Sequence, residues 1–137
     1  MALILLIETA TKSCSVSLSS ANKIIACKEE VNEQYSHAEK LTVFITELFK
    51  TQDFTIKDLD AVAVSKGPGS YTGLRIGVST AKGLCYALDI PLISVSTLKA
   101  MAFRMAQKEE SDLYCPMIDA RRMEVYNAFY NSTNKEI

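Results

Sequence analysis

The residues best suited to chemistry lie in the stretch KGPGSYTGLRIGVSTAKG, Lys66 to Gly83, which joins a β-branched run to a long helical pattern. A strand, a glycine-rich turn and a helix N-terminus can bind phosphate, because backbone N–H groups and the helix dipole converge there. The spacing of Gly67, Gly69 and Gly73 nevertheless fits neither the P-loop nor the dinucleotide fingerprint, and no lysine follows to reach a terminal phosphate. A tight structural turn is favoured, with Gly67, Gly69 and Ser70 kept as weak candidates for anion binding.

Few other residues suggest catalysis. His37 is the only histidine, which excludes a paired-histidine metal site and leaves one general base. It follows Ser36, the predicted N-cap of a helix, so a solvated histidine is expected. The chain has neither H-E-x-x-H nor G-x-S-x-G. We therefore predict no catalytic residue and no metal site.

Two segments resemble each other. LLIETATKSCSVSLS, Leu5 to Ser19, and PMIDARRMEVYNAFY, Pro116 to Tyr130, share an Ile-acid pair, a short turn containing an alanine, and an alternating strand. Duplicated halves that each carry an acid after the first strand are similar to the actin, Hsp70 and sugar-kinase superfamily. That resemblance makes Glu8, Thr9 and Asp119 candidates for holding a metal-bound nucleotide. Two unrelated hairpins remain the alternative.

Composition limits the function classes. The 137 residues are 48% apolar, enough for one domain with a core, and 15 basic against 16 acidic side chains give a net charge of -1. The chain therefore has no general field that would hold a polyanion such as RNA on its own. The four cysteines are scattered, as is typical of thiols in a reducing cytoplasm. The apolar run Ala2 to Ile7 is too short to span a membrane and is predicted to be a buried strand.

The hydrophobic pattern predicts an α/β fold. Three strands come first, and then helix, strand, helix, strand and helix follow, which gives the order βββαβαβα of a ribonuclease H-like lobe with a mixed five-stranded sheet. Strands are predicted at 2–8, 15–20, 24–31, 60–66 and 92–95, and helices at 36–50, 72–88 and 97–108. Residues 1–110 are predicted to form this N-terminal lobe. Residues 111–137 are predicted to be the first hairpin of an incomplete second lobe.

The helix after the glycine turn is apolar around most of its surface. Such a helix must be covered on two sides, and one sheet covers only one of them. Either internal packing or a protein partner provides the second cover. On the partner interpretation the interface consists of Leu41, Ile45, Leu48, Gly73, Ile76, Gly77, Thr80 and Leu84.

The segments IETATKSCSVSLS, SHAEKL, SKGPGSYTGLRIGVSTAKGLCYAL and IDARRMEVY together resemble the TsaB (YeaZ) family, over nearly the whole chain. Its members are the non-catalytic subunits of bacterial tRNA threonylcarbamoyladenosine synthesis. The resemblance implies a cytoplasmic scaffold that activates the paralogous threonylcarbamoyltransferase TsaD, with a TsaE-type ATPase as a further partner. On the partner interpretation, the exposed apolar face is expected to form a homodimer when TsaD is absent. Contact with tRNA is expected only through the complex, and no membrane association is expected.

The resemblance implies that Thr97 and Met101 stand near the places of the metal-binding histidines of TsaD, so no metal is expected there. It also implies that the glycoprotease label of the wider family has no chemistry here. We expect no cofactor on this subunit alone, although a nucleotide at a joint interface is compatible with the resemblance. The alternative function is a nucleotide-binding phosphotransferase of the actin-like superfamily.

Overall fold

The computed structural model describes residues 1–31 and 37–137, and its largest element is a five-stranded sheet. The strands are β1 (Leu3–Glu8), β2 (Ser13–Ser20), β3 (Lys23–Val31), β4 (Ala61–Gly67) and β5 (Leu92–Ser96), in the spatial order β3-β2-β1-β4-β5. The first three strands are antiparallel, whereas β1 with β4 and β4 with β5 are parallel. The carboxyl ends of β1, β4 and β5 therefore meet at one edge, where open α/β sheets form ligand sites.

In the described part of the chain three α-helices accompany the sheet, α1 (His37–Lys50), α2 (Tyr71–Leu88) and α3 (Thr97–Ala106), together with a short 3-10 helix at Ile56–Asp58. Ser70 caps α2 by accepting a hydrogen bond from Gly73 N at 3.2 Å, and Ser96 caps α3 in the same way. Asp89 ends α2 in the left-handed region with φ 54°. The cap predicted at Ser36 lies outside the described residues.

The main core lies between one face of the sheet and the helices α1 and α2. Alternate residues of the strands point to this face, as the two-residue period of a strand requires. They form one buried cluster with residues of both helices, including Leu5, Ile7, Val16, Leu18, Val62, Leu41, Ile45, Leu48, Ala81 and Cys85. Each fully buried aliphatic side chain contributes about 1.5–3 kcal/mol relative to an exposed one, so this cluster fixes both helices on the sheet.

The described segment after α3 contains two small antiparallel pairs of strands. These are β6 (Leu113–Tyr114) with β9 (Tyr130–Asn131), and β7 (Met117–Arg121) with β8 (Glu124–Asn127). A second core of Leu98, Ala102, Tyr114 and Tyr130 joins α3 to β6 and β9. The phenol of Tyr114 donates a hydrogen bond to Glu109 O at 2.6 Å, which ties the connecting segment down.

The predicted element order and the mixed five-stranded sheet are confirmed. Boundaries differ by up to two residues, since β2 begins at Ser13 and α3 ends at Ala106. A hairpin is present within the predicted repeat at 116–130. The division at residue 110 stays a prediction, and α3 shares its small core with the segment that follows.

Candidate functional site

A cleft of about 790 Å³ opens between the turn that joins β1 to β2, the N-terminus of α2, and the β7–β8 hairpin. Three of the six candidate anion-binding residues line it, namely Gly69, Ser70 and Asp119. Lys12 and Arg121 bring cationic side chains to its wall, and Tyr71, Met101, Met117 and Tyr126 contribute larger side chains. The other three candidates, Glu8, Thr9 and Gly67, have their own contacts within the fold.

The turn between β1 and β2 is bound directly to α2. Thr9 is 1% exposed and donates a hydrogen bond from Oγ1 to Gly73 O at 2.7 Å. The next residue, Ala10, accepts a hydrogen bond at its carbonyl from Ser70 N at 2.7 Å. The N-terminus of α2 therefore lies against this turn.

Glycines at every fourth position allow this approach. A Cβ at Gly69 would overlap the backbone of Ala10, one at Gly73 would overlap Thr9 O, and one at Gly77 would overlap Thr9 Oγ1. At Gly69 the backbone φ of +158° adds a second requirement for glycine. The close approach is therefore made within the chain, and the assignment of Gly73 and Gly77 to an interface with another protein was wrong.

The α1 residues of the predicted interface are also internal. Leu41, Ile45 and Leu48 are buried in the main core, so their assignment to a partner surface was wrong as well. The pattern that placed them on one face was correct, but that face points to the sheet. Ile76 and Leu84 are half-buried against the same core, and with half-buried Thr80 they stay a prediction as partner contacts.

His37 differs most from its expected role. It was predicted to be solvated, but it is 1% exposed, and its Nε2 is 2.7 Å from Thr11 O. Its Cδ2 lies 3.1 Å from where a Cβ would stand at Gly73. The imidazole thus lies between α1, α2 and the β1–β2 turn. No feature of the sequence distinguishes a buried from a solvated histidine at the first position of a helix.

Glu8 and Asp119 make the same local contact in the two hairpins. Glu8 Oε1 accepts from Ala10 N at 2.7 Å, and Asp119 Oδ1 accepts from Arg121 N at 2.8 Å, so each acid binds the backbone two residues later. The second oxygen of Glu8 accepts a hydrogen bond from Ser65 Oγ. This shared geometry agrees with the duplication that the sequence predicts.

The β1–β2 turn does not fit the metal-bound nucleotide that the actin-like superfamily implies. Both oxygens of Glu8 have protein partners, and so do the Thr9 hydroxyl and both backbone polar atoms of Ala10. A phosphate bound at this turn would have to replace these bonds. Within the described residues, no group of three His, Cys, Asp or Glu side chains is placed to hold a metal ion.

The surroundings of two buried thiols raise their pKa values. Burial raises the pKa of the Cys14 thiol, with nearby Glu30 adding to the effect, and burial also raises the pKa of Cys85. Cys27 is exposed.

Thr97 is buried at the start of α3, and Met101 lies one turn later at the cleft wall. Among the residues that the structure describes, no helix is long and apolar enough to cross a bilayer.

Comparison with known proteins gives consistent results. Residues 5–137 match the model of the family described as TsaD, tRNA N6-adenosine threonylcarbamoyltransferase. The tRNA threonylcarbamoyladenosine biosynthesis protein TsaB of Escherichia coli K12 is 37% identical over 93% of this chain and 54% of its own length. The TsaB protein of Bacillus subtilis 168 is 36% identical over 96% of this chain and 56% of its own length.

A solved structure shares the fold. The crystal structure of an uncharacterized Pseudomonas aeruginosa protein, described as similar to the peptidase YEAZ, superposes with a TM-score of 0.88 at 31% identity. The match covers 99% of this chain and 62% of that one. The chain spans about half the length of the curated relatives it matches. These similarities confirm the resemblance that the sequence motifs predict.

Proposed function

Since the chain belongs to the family of TsaD, tRNA N6-adenosine threonylcarbamoyltransferase, we propose that it is a non-catalytic subunit in the synthesis of threonylcarbamoyladenosine in tRNA. The relatives named TsaB support this role, because they are biosynthesis proteins of that modification. The proposed partner is a TsaD-type paralogue, which this chain activates by binding it.

The proposed contact surface is the solvent side of α1 and α2. On α2 this side carries Thr72, Arg75, Ser79, Lys82, Gly83 and Tyr86, all exposed. The proposed surface rests on the open surroundings of Gly83. Among the described residues, no atom lies within 4 Å of a Cβ built there, yet glycine in a helix interior costs about 1 kcal/mol relative to alanine. Because no contact in the described part of the chain requires this glycine, a close-packed partner helix would account for it.

The same surface would bind a second copy of this chain when the paralogue is absent, which gives the proposed homodimer. A TsaE-type ATPase would join the complex, and tRNA would contact this chain only through the complex. A nucleotide at the joint interface would need groups from the partner, because the β1–β2 turn is already bound to α2. A role in tRNA modification would place the protein in the cytoplasm.

Two features support a non-catalytic role over a peptidase or a phosphotransferase. His37, the only histidine, is buried against Thr11, so it cannot reach a substrate as a general base without a rearrangement of α1. Glu8 is bound by its own chain at both oxygens. Catalysis of the tRNA modification is therefore assigned to the TsaD-type partner.

Copurification tests the proposal. A tagged TsaD-type paralogue should capture the wild-type chain in a one-to-one complex, and modification of tRNA by the reconstituted machinery should increase when the chain is added. Gly83→Arg should abolish both effects, since it places a long charged side chain where a partner helix packs. Light scattering should show that the same variant is monomeric.

A matched substitution controls for the added charge. Ala100 is an exposed small residue on α3, so Ala100→Arg makes a similar change away from the proposed surface. It should leave capture and tRNA modification as in the wild type. Equal capture of the wild type and Gly83→Arg by the paralogue would contradict the proposed surface, and no capture of the wild type would contradict the function.

A further inference from the structure

The helices α1 and α2 both contact the β1–β2 turn. Thr9 donates a hydrogen bond to Gly73 O of α2 at 2.7 Å, and His37 Nε2 of α1 donates to Thr11 O at 2.7 Å in the tautomer that carries a proton there. We call the four residues Thr9, Thr11, His37 and Gly73 the helix junction. Through it, α1 and α2 are each bound to the same short turn.

The helix junction is buried and close-packed. Thr9 and His37 are each 1% exposed, and the imidazole of His37 lies against α2 at Gly73. In a packed interior, a change in the position of one of these groups must displace its neighbours. The positions of the two helix N-termini are therefore coupled.

The helix junction differs from the main core in the kind of contact it makes. In the main core, α1 and α2 pack on the sheet through apolar side chains such as Ile45 and Leu48, whose attraction has no preferred direction. Outside that core, α1 also forms two solvent-accessible ion pairs with β3, Lys28 with Glu47 and Lys40 with Glu30. The hydrogen bonds of Thr9 and His37 are directional and weaken steeply when the angle changes. They are thus suited to fix the offset of one helix relative to the other.

We propose that Thr9 and His37 are positioning residues for partner binding. By holding the N-termini of α1 and α2 on one turn, they keep the solvent sides of both helices in the arrangement that a single partner surface recognises. This inference rests on the proposed function for its partner, but the arrangement of the helices is a property of the chain alone. Neither residue contacts the partner itself, because both are buried.

Substitution of Thr9 tests the proposal. Thr9→Val removes the hydroxyl and places a methyl group against Gly73 O, whereas Thr9→Ser keeps the bond. Affinity for the TsaD-type paralogue is measured by calorimetry at a temperature where circular dichroism shows that each variant is folded. Thr9→Val should bind about three- to tenfold more weakly than the wild type, which corresponds to the loss of one neutral hydrogen bond. Thr9→Ser should stay within about twofold of the wild type.

A control and a second residue separate positioning from general stability. Thr55 donates from its hydroxyl to Asp58 Oδ2 at 2.8 Å at an exposed site outside both helices, so Thr55→Val should not change affinity. His37→Leu should weaken binding, and His37→Gln, whose amide can still donate to Thr11 O, should restore most of it. Unchanged affinity in Thr9→Val, or an equal loss in Thr55→Val, would overturn the proposal.

A distance measurement tests the inference without the partner. Spin labels at Glu39 of α1 and Thr72 of α2, both exposed, report the spacing of the helix N-termini once Cys27 and Cys115 are replaced by serine. Thr9→Val should broaden or shift the distance distribution, and Thr9→Ser should not. An unchanged distribution in Thr9→Val would refute the positioning role, even if the wild-type chain binds no paralogue.

Discussion

The two glycines Gly77 and Gly83, both inside α2, should respond oppositely to alanine. At Gly77 a Cβ would lie under 3.0 Å from Thr9 Oγ1, a buried atom that is hydrogen-bonded to Gly73 O. At Gly83 no atom of residues 1–31 or 37–137 lies within 4 Å of the new carbon. The two substitutions are chemically identical and lie in the same helix, so each controls for the other.

The magnitudes follow from two opposing contributions. Alanine lowers the free energy of a helix interior by about 1 kcal/mol relative to glycine, which both sites gain. Overpacking a buried site costs about 1–3 kcal/mol, which only Gly77 incurs. Gly83→Ala should therefore raise the free energy of unfolding by about 1 kcal/mol, and Gly77→Ala should lower it by up to about 2 kcal/mol.

A double-mutant cycle identifies the clashing group. Thr9→Ala removes Oγ1 and Cγ2, after which the nearest atom to the new Cβ at position 77 is the Cβ of residue 9, at 3.4 Å, an ordinary contact. In that background Gly77→Ala should be neutral or stabilising, a coupling energy of about 1–3 kcal/mol. Urea unfolding followed by circular dichroism measures all four proteins. Similar effects of Gly77→Ala and Gly83→Ala, or an uncoupled cycle, would refute the placement of α2 on the β1–β2 turn.

Two further outcomes are expected. Glu8→Ala should lower the free energy of unfolding by about 1–3 kcal/mol, because it leaves buried Ser65 and the Ala10 N–H without their acceptor. Asp119→Ala frees only one exposed N–H, so it should change the free energy of unfolding by less than about 0.5 kcal/mol in the same urea assay. Equal effects would contradict the unequal roles of the two acids. Because burial raises the pKa of Cys14 and Cys85, the unfolded chain loses these thiol protons first, near the ordinary pKa of 9.0, so stability should fall as the pH rises above about 9. A Cys14→Ala, Cys85→Ala protein should show a shallower fall in urea titrations between about pH 8 and 10, and an unchanged slope would contradict the shifted pKa values.

The fold was predictable because its strands and helices have strong and separate periodicities. The alternation in β2 and the helical spacing of Leu41, Ile45 and Leu48 each allow only one kind of element. Glycine and proline mark the turn before α2, and the helix begins at Tyr71, one residue from the predicted start. These signals are local, so they can be recognised without knowing which elements are neighbours.

The candidate site was less predictable because its contacts join residues far apart in sequence. Gly69, Gly73 and Gly77 indicate that something approaches α2 closely, but a glycine carries no information about the approaching group. Thr9 fills that space at Gly73 and Gly77, but it lies 64 residues from Gly73, and nothing in the sequence indicates that the two are neighbours. The same gap explains why the buried position of His37 was missed, since its partner Thr11 is 26 residues away.

The β1–β2 turn cannot both bind a phosphate and hold α2. A phosphate there would need polar atoms of Thr9 and Ala10, and these atoms now bind Gly73 O, Ser70 N and Glu8. Each displaced group would be left without a partner in a buried setting, at about 1–3 kcal/mol apiece. Displacement would also release the N-terminus of α2 and change the surface around Gly83. An anion in the cleft avoids this penalty only if it leaves the hydrogen bonds of Thr9 and Ala10 in place.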